Sequence, residues 1–144
     1  MTPDVNVLVA ASRSDHPHHP VARQWLLDAL AQSSPQQPLR LLPIAVAGFL
    51  RLVTNARVFI QPTPIVDAVA FLDAFLTAPN VESANEKLDW PAFRSLCLAK
   101  NLGGNAIPDA WIAASVTQIN EHLVTFDKGF RKLLTRSQVT VLKG

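Results

Sequence analysis

One cysteine in 144 residues, Cys97, excludes an internal disulfide and a zinc site built on thiolates. No apolar run reaches the roughly 18 residues that a membrane span needs, so no membrane segment is expected. The opening MTPDVNVLVAAS carries Asp4 and no basic leader, which argues against a secretory signal. Charged residues are scarce at 17%, hydrophobic residues reach 49%, and mean hydropathy is +0.18. A disordered chain has the opposite balance. No P-loop, G-x-G-x-x-G or G-x-S-x-G occurs, which removes the commonest nucleotide-binding and acyl-transfer readings. The expectation is one domain over residues 1–144 with a real core, in a reducing cytoplasm.

Acid is also missing from one long stretch. Between Ala29 and Val66 there is no Asp or Glu, while Arg40, Arg51 and Arg57 fall there. A second basic group, Lys128, Arg131, Lys132 and Arg136, lies near the C-terminus. Net charge is only +2, with a pI near 9.0. Such patches suit a polyanion-binding face, and they also suit an ordinary solvated surface.

What is present is mostly helical periodicity broken by short Pro-rich loops, SDHPHHP (14–20), SSPQQP (33–38) and QPTP (61–64). Val21, Ala22, Trp25, Leu26, Ala29 and Leu30 repeat at the spacing of one helix face. Ile65, Val69, Leu72 and Leu76 do the same, and Phe93, Leu96 and Lys100 follow a Trp90-Pro91 start signal. Ile44 to Thr54 reads as a buried helix. Strands are expected in the residues up to Asp4 and at Leu39–Leu42, Asn80–Ser83, His122–Phe126 and Val139–Leu142. The run Val5–Ala11 fits a buried strand, which would place Asp4 beside the central strand, or a buried helix. Strands alternating with helices predict an α/β fold with a covered parallel sheet.

Three aspartates stand in unusual surroundings. Asp4 adjoins an apolar run. Asp109 follows Pro108 at a helix start and shares a face with Ile112, Ala113 and Val116. Asp127 comes directly after the strand-like LVTF. Each has an ordinary explanation: a turn residue with Asn6 for Asp4, a first-turn acid for Asp109, an N-cap for Asp127. Together they would gather at the strand ends, where α/β folds bind ligands. Three clustered carboxylates repel by about 4 kcal/mol per pair at 4 Å and an effective dielectric of 20, so such a cluster needs a cation. Oxygen ligands suit Mg²⁺ or Mn²⁺.

The segments DVNVLVAA (4–11), PDAWIAA (108–114) and TFDKGF (125–130) resemble the three acidic motifs of PIN-domain ribonucleases. With HHPVARQWL (18–26) and GFLRLVTNARVF (48–59), the layout resembles the VapC toxins of type II toxin–antitoxin systems over nearly the whole chain. The resemblance implies a three-layer α/β/α sandwich with a short, mainly parallel central sheet. It implies an endoribonuclease with Asp4, Asp109 and Asp127 as catalytic, metal-holding residues around Mg²⁺ or Mn²⁺, where a metal-activated water leaves a 5′-phosphate and a 3′-hydroxyl. It further implies a homodimer and a cognate VapB-like antitoxin as partner. Asn6 and Thr125 flank the acids and are candidates to orient a carboxylate or a water, as is Asn105. Arg51, Lys128 and Arg131 are candidates for RNA phosphate, although a solvated face would carry the same residues.

One departure from the family stands out. Most PIN domains supply a further acid from the second helix, and the matching place here is near Gly48, where no acid lies in reach. A catalytically degenerate RNA- or protein-binding module is therefore the alternative. A phosphatase with Asp4 as nucleophile fits poorly, because Asn6 stands where its second acid belongs. The histidines of Asp15-His16-Pro17-His18-His19 read as a helix start or an RNA contact rather than as metal ligands. Trp25, Trp90 and Trp111 read as core or interface residues, and Cys97 as a small buried hydrophobe.

Overall fold

The computed structural model describes residues 1–85 and 87–144. In chain order it contains β1 (Thr2–Pro3), α1 (Val5–Ser12), α2 (His19–Gln32), β2 (Leu39–Leu41), α3 (Pro43–Val53), α4 (Ile65–Leu76), β3 (Val81–Ser83), α5 (Trp90–Ala99), α6 (Ala106–Gln118), β4 (Leu123–Thr125), a 3₁₀ turn (Lys128–Lys132) and β5 (Val139–Val141). Among the described residues, no helix is long and apolar enough to cross a membrane.

Each expected strand forms, and each is short. The run Val5–Ala11 resolves as helix, so the strand preceding Asp4 is only two residues long. The switch is made by Asp4, whose Oδ1 accepts the Val5 N–H at 2.7 Å and caps α1. Val7 to Ala11 are all buried, and a helix apolar on every side belongs inside the molecule.

All strand pairings are parallel. β4 lies between β1 and β5, while β2 and β3 pair separately. One backbone bond, from Arg40 N–H to the Met1 carbonyl at 3.1 Å, sets β2 alongside β1. The spatial order is thus β3-β2-β1-β4-β5. From β1 the chain first builds β2 and β3 on one side, then crosses to β4 and β5 on the other. That reversal between β1 and β4 opens a crevice at their C-terminal ends, which carry Asp4 and Asp127. Leu123, Val124 and Thr125 are essentially inaccessible, so both faces of β4 are covered.

The main core joins α1, α3 and α4 to the sheet through Leu8, Leu41, Phe49, Leu72 and Leu123. A smaller cluster of Phe93, Ala110 and Ala114 ties α5 to α6, with Cys97 half-buried against it rather than in the core. Helices α5 and α6 end alike. Asn101 and Asn120 adopt φ of 49° and 51°, and the next N–H groups, of Leu102 and Glu121, return to the carbonyls of Cys97 and Val116 at 3.0 and 2.9 Å. Asparagine tolerates this left-handed stop where most side chains do not.

Candidate active site

Three chain segments reach the crevice. Asp4 arrives at the end of β1, Asp127 just after β4, and Asp109 in the first turn of α6, which begins at Ala106 and so earlier than Pro108 suggested. All three line one cavity of about 750 Å³ with Val5, Asn6, Ile44, Gly48, Arg51 and Asn105 among the other lining residues. The three acids are thus in one place. Their ordinary roles hold as well: Asp4 caps α1, Asp127 caps the 3₁₀ turn by accepting the Gly129 N–H at 2.7 Å, and Asp109 sits at the positive end of a helix.

The hydroxyl of Thr125, fully buried, joins two of them. It donates to Asp4 Oδ2 at 2.6 Å and accepts the backbone N–H of Asp127 at 2.9 Å. Asn6 adds a second tie: its Nδ2 donates to Thr125 Oγ1 at 3.2 Å, and its Oδ1 accepts the Phe126 N–H at 3.2 Å. Asn6 and Thr125 therefore lie where the sequence pointed, locking the start of α1 to the end of β4. Asn105 occupies the N-cap of α6 without a side-chain capping bond and lines the cavity.

Electrostatics follow the geometry. Burial raises the Asp4 carboxyl above its ordinary value and Asp127 adds to the rise, while hydrogen bonds from Thr125 and Val5 hold it down. Burial, then the charges of Asp4 and Asp127, push Asp109 up to about 6. The acids thus feel one another across the cavity. Among the described residues, no three of His, Cys, Asp and Glu stand close enough to grip one ion directly. No protein group among the described residues bonds to the Asp109 carboxylate. This all-oxygen set suits Mg²⁺ or Mn²⁺, because Mg²⁺ is usually held by one or two carboxylates with waters and substrate phosphate completing its shell.

The basic candidates separate. Arg51, exposed on α3, lines the acidic cavity. Lys128 and Arg131 do not; Arg131 instead lines a cavity of about 600 Å³ with Arg136 beside β5. Trp25 packs against the core, but Trp90 and Trp111 are 58% and 38% exposed, so neither is a core residue. His18 stacks on Phe126 with ring centroids 4.7 Å apart, and His19 bonds the Ala10 carbonyl at 2.8 Å. No part of the histidine run lines the acidic cavity.

Two features escaped the sequence. Arg13 is buried at the end of α1, where it pairs with Asp15, donates to Thr63 Oγ1 and the Gln61 carbonyl at 3.1 and 3.0 Å, and stacks over Phe59 at 3.8 Å. Nothing in the sequence marks it apart from other arginines. The second is the contact between Val5 and Gly48: a Cβ on Gly48 would stand 2.9 Å from Val5 Cγ2.

Comparison with known proteins identifies the family. Residues 1–133 match the family model of the PIN domain. Ribonuclease VapC43 of Mycobacterium tuberculosis is 41% identical over 130 residues, covering 90% of this chain and 86% of the relative. Ribonuclease VapC25 of the same organism is 35% identical over 130 residues, covering 90% and 89%. Among solved structures, VapBC2 of Rickettsia felis superposes with a TM-score of 0.66 at 18% identity, covering 99% of this chain and 98% of that one. M. tuberculosis VapC20, described as a sarcin–ricin loop cleaving toxin, gives 0.63 at 18% identity, covering 91% and 92%. A short parallel sheet with aspartates at its switch point, matched over nearly its whole length by these sequences, belongs to the PIN-domain family and, within it, to the VapC ribonucleases.

Proposed function

We propose that this chain is a metal-dependent endoribonuclease, the toxin of a VapBC-type pair, acting as a single PIN domain over residues 1–144. Asp4, Asp109 and Asp127 would hold Mg²⁺ or Mn²⁺, directly or through bound water. The observation that carries the reading is the convergence of these aspartates, from three separate segments, on one cavity. When bound, the ion supplies an activated water and stabilises the charge developing at the scissile phosphate.

The protein's own residues do the rest. Thr125 and Asn6 fix the Asp4 carboxylate, so little reorganisation is needed when the site loads. Arg51 binds backbone phosphate at the cavity, and Lys128 and Arg131 bind it further along the strand. Water attacks phosphorus in line, the bond to O3′ breaks, and the departing oxygen takes a proton. The products are a 5′-phosphate and a 3′-hydroxyl.

The partners follow from the same family membership: an RNA substrate, a cognate VapB-like antitoxin and a second copy of the chain, acting in the cytoplasm. The test is a gel of bacterial total RNA incubated with antitoxin-free protein in Mg²⁺, Mn²⁺ or EDTA, with Asp109→Asn as control. Metal-dependent fragments that vanish in the variant are expected. Intact RNA in every lane would favour the non-catalytic module, whose supporting observation is the acid-free wall at Gly48.

A further inference from the structure

The α3 wall of the cavity holds no acid, and the packing explains why. Gly48 faces Val5, the residue after Asp4, and a Cβ there would stand 2.9 Å from Val5 Cγ2 and 3.5 Å from Cγ1. Val5 is β-branched and opens a helix pinned by Asp4, so its methyls have little freedom to turn away. Any side chain at Gly48, a glutamate included, meets this contact before it can reach the cavity. The wall is thus built without an acid.

What the wall carries instead is Arg51. It lies three residues beyond Gly48 on the same helix face and lines the same cavity. It is exposed, and among the described residues it forms no salt bridge or side-chain hydrogen bond. Arg13 and Arg40, in contrast, are committed to carboxylates elsewhere. A single divalent ion leaves three carboxylates with a net charge of −1, which repels phosphate. A guanidinium on the α3 wall offsets that charge and offers paired N–H donors to two phosphate oxygens.

We propose that the site takes one divalent ion and that the guanidinium of Arg51 binds the scissile phosphate from the α3 wall of the cavity. The inference rests on the metal-dependent reading above, adds a stoichiometry to it and assigns the Arg51 contact to the scissile phosphate. It also accounts for arginine at this place: lysine offers a point charge without the planar fork.

The experiment has two parts, neither of which reads activity. Mn²⁺ is titrated into metal-free protein by calorimetry. A short labelled single-stranded RNA, kept intact in Ca²⁺ and checked by gel, is then titrated against the parent, Arg51→Met and Arg51→Lys at several salt concentrations. The expected results are one Mn²⁺ per chain and an Mn²⁺ affinity in Arg51→Met no weaker than the parent's. RNA binding in that variant weakens roughly tenfold, and its salt slope falls by about 0.7, the loss of one phosphate contact. Arg51→Lys recovers the slope and only part of the affinity. Two Mn²⁺ per chain, or RNA affinity and slope unchanged in Arg51→Met, would overturn the proposal. Absence of any Mn²⁺ binding would bring down the metal-dependent reading itself, an outcome distinct from the other two.

Discussion

The Thr125 hydroxyl donates to Asp4 Oδ2 at 2.6 Å while accepting the Asp127 backbone N–H, so one buried oxygen sets the positions of two of the three acids. Removing it releases both and takes away the largest influence holding down the Asp4 carboxyl. Thr125→Val is isosteric, so it tests the bond rather than the packing. The expected outcome is a 10- to 100-fold loss of Mn²⁺ affinity by calorimetry, roughly the effect of losing a partner that orients a ligand. Thr125→Ser retains parental affinity, and a Val variant that also did so would show the hydroxyl to be dispensable.

Asp109 gives the fold a pH dependence with a definite sign. Its carboxyl is raised from 3.8 to about 6 in the folded protein, so folding favours its protonated form. That contribution is fully present below 3.8 and is lost as pH rises through about 6. Two units correspond to at most about 3 kcal/mol, and solvent around a half-exposed group reduces this to about 1 kcal/mol. In EDTA, Asp109→Asn should therefore melt above the parent at pH 7.5, with the gap closing toward pH 4. Mn²⁺ reverses the order at pH 7.5, because only the parent has the carboxylate that gains by binding it. Parallel melting curves for the two proteins at every pH would refute the assignment.

The acids were legible because each combines a sequence position at a strand end or helix start with apolar neighbours, and parallel α/β topology gathers such positions. The locations of α2, α4 and α5 followed from apolar periodicity, and those of the strands from short runs rich in β-branched residues or Leu. The run Val5–Ala11 was not legible: a short, largely apolar run fits a strand or a helix, and in the structure the Val5 N–H donates to Asp4 Oδ1 at the start of a helix. Asp109 lies in a first turn as expected, but α6 starts before Pro108 because proline is tolerated inside a first turn, where the missing N–H has no partner to lose. Lys128 and Arg131 follow Asp127 closely in sequence, yet they lie on the 3₁₀ turn outside the cavity lining. The exposure of Trp90 and Trp111 removes the core half of their core-or-interface reading, since an aromatic residue carries no mark of whether it faces the core or the surface.

Arg13 is the clearest case of a residue that only the structure reveals. Its guanidinium holds the end of α1 to the loop between α3 and α4 through Thr63, Gln61 and Phe59. Arg13→Met keeps much of the bulk but leaves the Gln61 carbonyl and Thr63 hydroxyl to find other partners. A loss of about 2–3 kcal/mol in urea unfolding is expected, the range for hydrogen bonds made by a charged group. Mn²⁺ affinity should be unchanged in the folded variant, because the opposite end of α1, where Asp4 sits, is secured by Thr125 and Asn6. Loss of metal binding without loss of stability would instead place Arg13 in the site's own machinery.

The Val5–Gly48 contact makes a prediction that separates packing from chemistry. Gly48→Ala gains helix propensity of about 1 kcal/mol over glycine, yet places its Cβ 2.9 Å from Val5 Cγ2. Overpacking of this kind costs about 1–3 kcal/mol, so the variant should be no more stable than the parent and Asp4 should shift with the helix start it caps. Val5→Ala removes the two methyls, and the double variant Val5→Ala/Gly48→Ala should then exceed Val5→Ala alone in stability by about the helix-propensity term. That change of sign, read by urea unfolding of the four proteins, is the signature of direct contact. Equal effects of Gly48→Ala in both backgrounds would mean that α1 and α3 stand further apart than this contact requires, and an acid could then be accommodated on that wall.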